Sequence, residues 1–98
     1  MLDNNLSKDM IAKYGVASQL DVVVEELSEL TKEVIKFKRT SSHGEPFDIN
    51  HLKEELADTI VMQGTIFEIL KGHGISEEEV LKTVEEKQKR TRDRYLKK

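Results

Sequence analysis

A chain of 98 residues holds one small domain at most, and a domain that small buries so modest a share of its surface that oligomerisation is expected. Charged residues make up 36% of it and aromatics 5%, with one Pro, five Gly and no Trp, the profile of a helical protein with wet outer faces. The net charge of −3 gives no global case for nucleic-acid binding, and the absence of Cys excludes disulfides, thiolate metal sites and thiol nucleophiles.

Met1–Asn5 reads as a frayed start. Met1–Ser7 is polar and no apolar run follows it, so no signal peptide is expected. Ser7 is expected to cap a short helix, Lys8–Tyr14, which Gly15 ends or kinks. From Val16 to Arg39 the pattern is helical: Val16, Leu20, Val23, Leu27, Leu30, Val34 and Phe37 recur at steps of three and four. They fall within an arc of about 100° on the helical wheel. Glu26 lies at the edge of that arc, with Glu29 and Glu33 beyond it. Thr40–Ile49, with Ser41, Ser42, Gly44 and Pro46, is the clearest loop, after which Asp48 or Asn50 caps the next helix.

The helix from Asn50 to Lys71 is apolar most of the way round, which marks burial on several sides. Glu55 projects inside its apolar arc, between Met62 and Ile66, and Asp58 near its edge. Burying an unpaired carboxylate is expensive unless a partner compensates it or its pKa shifts until it is neutral. Gly72-His73-Gly74 ends this helix. Ser76 and Glu79 then form a capping box, with Ile75 and Val80 as the staple. The last helix, Glu77 to Tyr95, has an apolar face (Val80, Leu81, Val84) that fades into a basic tail: residues 87–98 hold seven Lys/Arg against one Asp. Apart from the two acidic pairs there is no internal repeat, and residues 1–98 read as a single domain. The longest mostly apolar run, Thr59–Leu70, contains Gln63 and Glu68 and is too short to span a bilayer, so a cytoplasmic protein without membrane association is expected.

Glu26/Glu29 and Glu55/Asp58 are acidic pairs at i and i+3, each able to aim two carboxylates at one point. Two such helices packed antiparallel bring four carboxylates together, the kind of site that holds a hard divalent cation. Glu25, Glu26 and Glu29 alone would read as a solvated face partnered by Lys32 and Lys36; the acids on the apolar side of the second helix favour a metal site. His43, His51 and His73 sit in or beside loops, where surface roles are expected. With no Glu-x-x-His motif, Mg²⁺ or Mn²⁺ is preferred over iron. The basic tail reads either as a solvated helix end or as a phosphate contact, and without a helix-turn-helix nucleic acid is not an expected partner. Covalent catalysis has no obvious agent here, whereas metal-activated water has a site.

These residues match a known pattern. Glu25-Glu26-x-x-Glu29, twenty-five residues, then Glu55-x-x-Asp58 resembles the E-E-x-x-E … E-x-x-D signature of the MazG-like nucleotide pyrophosphohydrolases, of the all-α NTP pyrophosphatase superfamily. Tyr14-Gly15-x-x-x-Gln19 resembles the segment before the first acidic motif in many members. Glu54-Glu55-Leu56-Ala57-Asp58 is similar to the usual form of the second motif, and the likeness covers roughly residues 14–95. The resemblance implies an all-α antiparallel bundle, with two long core helices flanked by a short N-terminal and a C-terminal helix, completed as a homodimer or homotetramer. It implies Mg²⁺ held by Glu26, Glu29, Glu55 and Asp58, and hydrolysis of a nucleoside triphosphate to the monophosphate and pyrophosphate. Glu25, or one of the ligating carboxylates, would orient or deprotonate the attacking water, Gln19 would touch substrate, and Lys87, Arg90 and Arg94 would hold the outgoing pyrophosphate. The chain departs from the family in two respects. Lys87-Gln88-Lys89-Arg90-Thr91 lacks the Asn of many members, and the aromatic-rich pocket of the pyrimidine-specific ones is missing, which leaves the base open. The competing expectation is a non-catalytic helical assembly or regulatory module whose basic helix binds a protein or nucleic-acid partner.

Overall fold

The computed structural model describes Asp3 and residues 5–97. Over those residues the protein is all-helical, with no strand: α1 (Leu6–Tyr14), α2 (Val16–Ser42), α3 (Ile49–Gly72) and α4 (Glu77–Tyr95). Met1, Leu2 and Asn4 of the expected frayed start, and Lys98 of the basic tail, lie outside the described residues.

The start of α1 corrects one expectation. Asp3 serves it, not Ser7: the Asp3 carboxylate accepts from the backbone N–H of Asn5 at 2.9 Å and of Leu6 at 3.1 Å. Ser7 is therefore already inside the helix. A carboxylate is well suited to the orphan N–H groups of a first turn. Gly15 both ends α1 and opens α2. At φ 90° it occupies backbone that side chains other than glycine's rarely adopt, so the chain turns sharply without a loop.

α2 runs past its expected end at Arg39 to Ser42. The hydroxyls of Thr40 and Ser42 donate back to the carbonyls of Lys36 (2.9 Å) and Lys38 (2.8 Å), which lets these residues remain helical. The loop is correspondingly shorter, from His43 to Asp48. The Phe37 and Phe47 rings pack edge-on across it, their centroids 5.2 Å apart. Of the two candidate caps it is Asp48 that acts, its carboxylate accepting from the N–H of Asn50 at 3.0 Å.

The chain divides into two compact units, Met1–Ile66 and Phe67–Lys98, the boundary falling within α3. In the first, α1 comes close to α3 where Ser7 meets Gly64; a Cβ on Gly64 would collide with the Ser7 hydroxyl. In the second, α4 opens on the expected capping box. Ser76 Oγ accepts from the N–H of Glu79, and the Glu79 carboxylate accepts from the N–H of Ser76, both at 3.1 Å. Ser76→Ala should lower stability by about 0.5–2 kcal/mol, read as a reduced urea midpoint with unchanged slope.

Burial departs most from expectation. Among the described residues only one apolar side chain, Val23, is buried. Val16, Leu20, Leu27, Val34 and Phe37, assigned to the inward face of α2, are 39–51% exposed. The residues of α2 that do turn inward are Gln19, Val22, Val23, Glu26, Glu29, Leu30, Glu33 and Thr40. At 100° per residue the centre of this set lies roughly 75° round the helix from the apolar arc. α3 behaves alike: Leu56, Ile60, Val61 and Ile66 are exposed, while Thr59 and Thr65 are buried. Within one chain, the acid-bearing side of α2 faces inward and its apolar stripe, Val23 and Leu30 excepted, is left outside.

Candidate metal centre

The inward stripe of α2 reads Gln19, Val22, Glu26, Glu29, Glu33, a run of alternating three- and four-residue steps. On α3 the corresponding run is Glu55, Asp58, Met62, Thr65. The pairings run in opposite order along the two helices. Gln19 and Val22 share a cavity with Met62 and Thr65, Glu26 meets Glu55 and Asp58, and Glu33 lies near enough to Glu55 to affect its ionisation.

Glu26, Glu55 and Asp58 each offer a carboxylate oxygen within 4.8 Å of the other two. Glu26 and Glu55 are half-buried and Asp58 is exposed, so the cluster opens to solvent on the Asp58 side. Desolvation, and then the neighbouring charges of Asp58, Glu25 and Glu29, raise the Glu26 pKa above its ordinary value. Glu55 is raised by desolvation first and then by Glu26, Asp58, Glu29 and Glu33. One oxygen of Glu55 and one of Glu33 are buried without a hydrogen-bond partner. No cationic side chain forms an ion pair with Glu26, Glu55 or Asp58 among the described residues.

Glu29 stands slightly apart. It belongs to the same electrostatic neighbourhood, but its carboxylate pairs with Lys32 at 3.2 Å on a side chain 45% exposed. Glu25 is exposed on α2 beside Glu26. Gln19 is 3% exposed and lines the cavity.

Sequence reasoning passed over two residues here. Glu33 was placed beyond the apolar arc as a surface acid, yet it faces Glu55; the signal was its stride, four residues after Glu29 on the Glu26 line. Thr65 was not singled out, although it is the most buried side chain of the described residues at 1%. The histidines are exposed as expected: His43 bonds the Arg39 carbonyl at 2.8 Å through Nδ1, and His51 lies 3.6 Å from Asp48.

No protein-family model, curated protein or solved structure matches this chain. The resemblance to the MazG-like enzymes therefore rests on the quoted residues alone.

In the second unit, α4 presents its cations in two groups. Asp93 binds Lys89 at 2.7 Å and Lys97 at 2.8 Å, a ladder that depresses the Asp93 pKa through both side-chain hydrogen bonds. Lys87, Arg90 and Arg94 are exposed and form no ion pair among the described residues. Arg94 rests near the Tyr95 ring, 6.0 Å from its centroid. No described helix is long and apolar enough to cross a membrane.

The donor set of the cluster is chemically uniform. All three donors are carboxylate oxygens, with no imidazole or sulfur, and such a set suits Mg²⁺ or Mn²⁺ over softer metals. The partnerless oxygen of Glu55 and the acid–acid repulsion are both relieved by a divalent cation, so the residues fit one.

Proposed function

We propose that this protein is a Mg²⁺-dependent nucleoside triphosphate pyrophosphohydrolase of the MazG-like kind, acting in the cytoplasm. The observation that carries the proposal is the convergence of Glu26, Glu55 and Asp58, from two helices distant in sequence, with no ion pair to any of them among the described residues. Bound there, Mg²⁺ (or Mn²⁺) would screen the triphosphate and make a water acidic enough to attack at neutral pH. Glu26, Glu55 and Asp58 would hold the cation, and Glu29 would join them on giving up its Lys32 contact. Glu25, exposed beside Glu26, orients the attacking water and takes its proton. Attack on the α-phosphorus breaks its bond to the bridging oxygen and releases pyrophosphate, leaving the nucleoside monophosphate. Lys87, Arg90 and Arg94 are the cations assigned to the departing phosphates, and that they form no ion pair among the described residues supports that role. Incubating the protein with nucleoside triphosphates and Mg²⁺ should release pyrophosphate and not orthophosphate, and EDTA should stop it. No pyrophosphate from any natural triphosphate would overturn the proposal.

The same reading makes α2 and α3 an antiparallel pair in a bundle that a second subunit completes, as a homodimer or homotetramer. The exposed stripe Val16, Leu20, Leu27 and Val34 supports it, since burying Val23 alone among the apolar side chains of the described residues leaves less core than a stable monomer needs. Leu27→Glu should then shift the protein towards monomer and lower its melting temperature, as measured by light scattering and circular dichroism. A wild type that is a folded monomer at micromolar concentration would exclude the assembly.

A non-catalytic module remains the second reading, favoured by the exposure of α4 and its unpaired cations. It predicts no Mg²⁺-dependent binding of a non-hydrolysable triphosphate in calorimetry.

A further inference from the structure

Next to the carboxylates in the first unit lies a cavity of about 210 Å³. Its walls are mainly apolar, from Leu6 and Met10 of α1, Val22 of α2 and Val61 and Met62 of α3, with Ser7, Gln19 and Thr65 as polar members. Gln19 and Thr65 are more than nine-tenths buried, at 3% and 1% exposed, and the Thr65 hydroxyl has no hydrogen-bond partner. Buried polar groups are ordinarily satisfied, so an orphan hydroxyl in a cavity wall points to a missing partner. Position narrows what that partner is. Gln19 and Val22 precede Glu26 by seven and four residues, and Met62 and Thr65 follow Asp58 by four and seven. At 1.5 Å per residue the cavity begins about 6 Å, and ends about 10 Å, along both helices from the acidic cluster.

We infer that this cavity seats a planar single-ring heterocycle with an amide-like edge, a pyrimidine base, of a nucleotide whose phosphates lie at the carboxylates. Size supports a single ring: a cavity of about 150 Å³ takes benzene, so 210 Å³ scales to about eight non-hydrogen atoms, a pyrimidine base but not a purine. Chemistry supports the edge. The Gln19 amide offers a donor and an acceptor side by side, and the Thr65 hydroxyl offers one of each. Recognition by hydrogen bonding in this way needs no aromatic platform, which the cavity walls lack. α1 sets the size limit, because the Ser7–Gly64 approach holds it against α3. The inference takes its direction from the proposed nucleotide chemistry, while its content comes from the cavity alone.

The test uses free nucleosides, so it does not depend on the metal or on turnover. In ¹H–¹⁵N spectra of the full chain, uridine or cytidine should move the Thr65 amide and the Gln19 side-chain amide resonances. Adenosine should bind at least about tenfold more weakly, since it cannot fill the cavity without displacing α1. Thr65→Val, the same shape without the hydroxyl, should weaken uridine binding about tenfold while its melting temperature holds or rises. Thr65→Ser, which keeps the hydroxyl, should retain the binding. Unmoved Thr65 and Gln19 resonances, equal affinity for adenosine, or wild-type uridine binding by Thr65→Val would each overturn the inference. Pyrophosphate release, assayed in parallel, separates the two proposals. Uridine binding without any triphosphate hydrolysis sinks the hydrolase alone, and hydrolysis of purine and pyrimidine triphosphates at equal kcat/KM sinks the pyrimidine site alone.

Discussion

Glu55→Gln should give a protein at least as stable as the wild type in the absence of metal, and one that Mg²⁺ no longer stabilises. Desolvation, and then the crowding charges of Glu26, Asp58, Glu29 and Glu33, raise the Glu55 pKa. A raised carboxyl pKa means that the folded state retains a proton the unfolded chain has already lost. The stability so gained is complete below the ordinary value near 4.5 and is lost as pH rises through the raised one. Glu26, raised for similar reasons, acts in the same direction. Metal-free wild type should therefore lose melting temperature as pH climbs from about 4 towards neutrality, with Glu55→Gln showing a flatter profile. Mg²⁺ should reverse the effect by supplying the missing positive charge. A ligand at a hundred times its Kd stabilises the folded state by about 2.7 kcal/mol, and the wild type should show a gain of that order at neutral pH. The amide is a much weaker ligand, so the variant should lose most of it. Thermal melts across pH with and without Mg²⁺ read all three expectations. An unchanged Mg²⁺ gain in Glu55→Gln would remove Glu55 from the site.

The parts of this fold that local chemistry dictates were legible in the sequence. The capping box of Ser76 and Glu79, the break at Gly15 and the ends of α3 and α4 depend on a few neighbouring residues, and those residues state their roles. Asp3 acting in place of Ser7 is a near miss of the same kind, since both residue types accept from a first turn. The extension of α2 through Ser42 was hidden because Thr40, Ser41 and Ser42 favour loops on average, and here the Thr40 and Ser42 hydroxyls bond back into the helix instead of competing with it.

The facing of α2 was not legible, and the reason is physical. Periodicity identifies the stripe that prefers to leave water, but not which partner covers it. Here the stripe through Leu20 and Leu27 stays exposed within the chain while Gln19, Glu26 and Glu33 turn inward. A helix that served both a polar site and the proposed subunit contact would divide its circumference between them, and the apolar arc would then describe the contact. Glu33 was lost for that reason, judged against the wrong face. The pairing of Glu26 with Glu55 and Asp58 was legible nonetheless, because an i, i+3 acidic pair on each of two helices converges whichever apolar neighbour lies outside.

Damage to the acidic cluster and to the basic helix should leave different kinetic traces. Asp58→Ala removes one of the three converging carboxylates, and with it the charge stabilisation that a bound cation would bring to the transition state. A loss of roughly 3–5 kcal/mol corresponds to a fall in kcat of about 10²–10⁴-fold, which saturating substrate does not rescue. Glu29→Ala should fall less steeply if Lys32 keeps its hold on Glu29, and as steeply if Glu29 is released to the cation. On the proposed reading, Lys87→Ala or Arg94→Ala would remove instead a charge-assisted phosphate contact already made in the bound substrate. Such contacts contribute roughly 1.5–3 kcal/mol, so KM should rise about 10–150-fold with kcat changed much less. Raising salt should then weaken substrate binding less in these variants than in the wild type, because one screened cation is gone. Lys89→Ala supplies the control: its charge is already engaged by Asp93, and its effect on KM should be the smallest of the three. Steady-state pyrophosphate release at two ionic strengths measures the whole set. If Lys87→Ala and Arg94→Ala matched wild type in both constants, α4 would be a solvated helix end, and the phosphates would need another partner even with the metal centre intact.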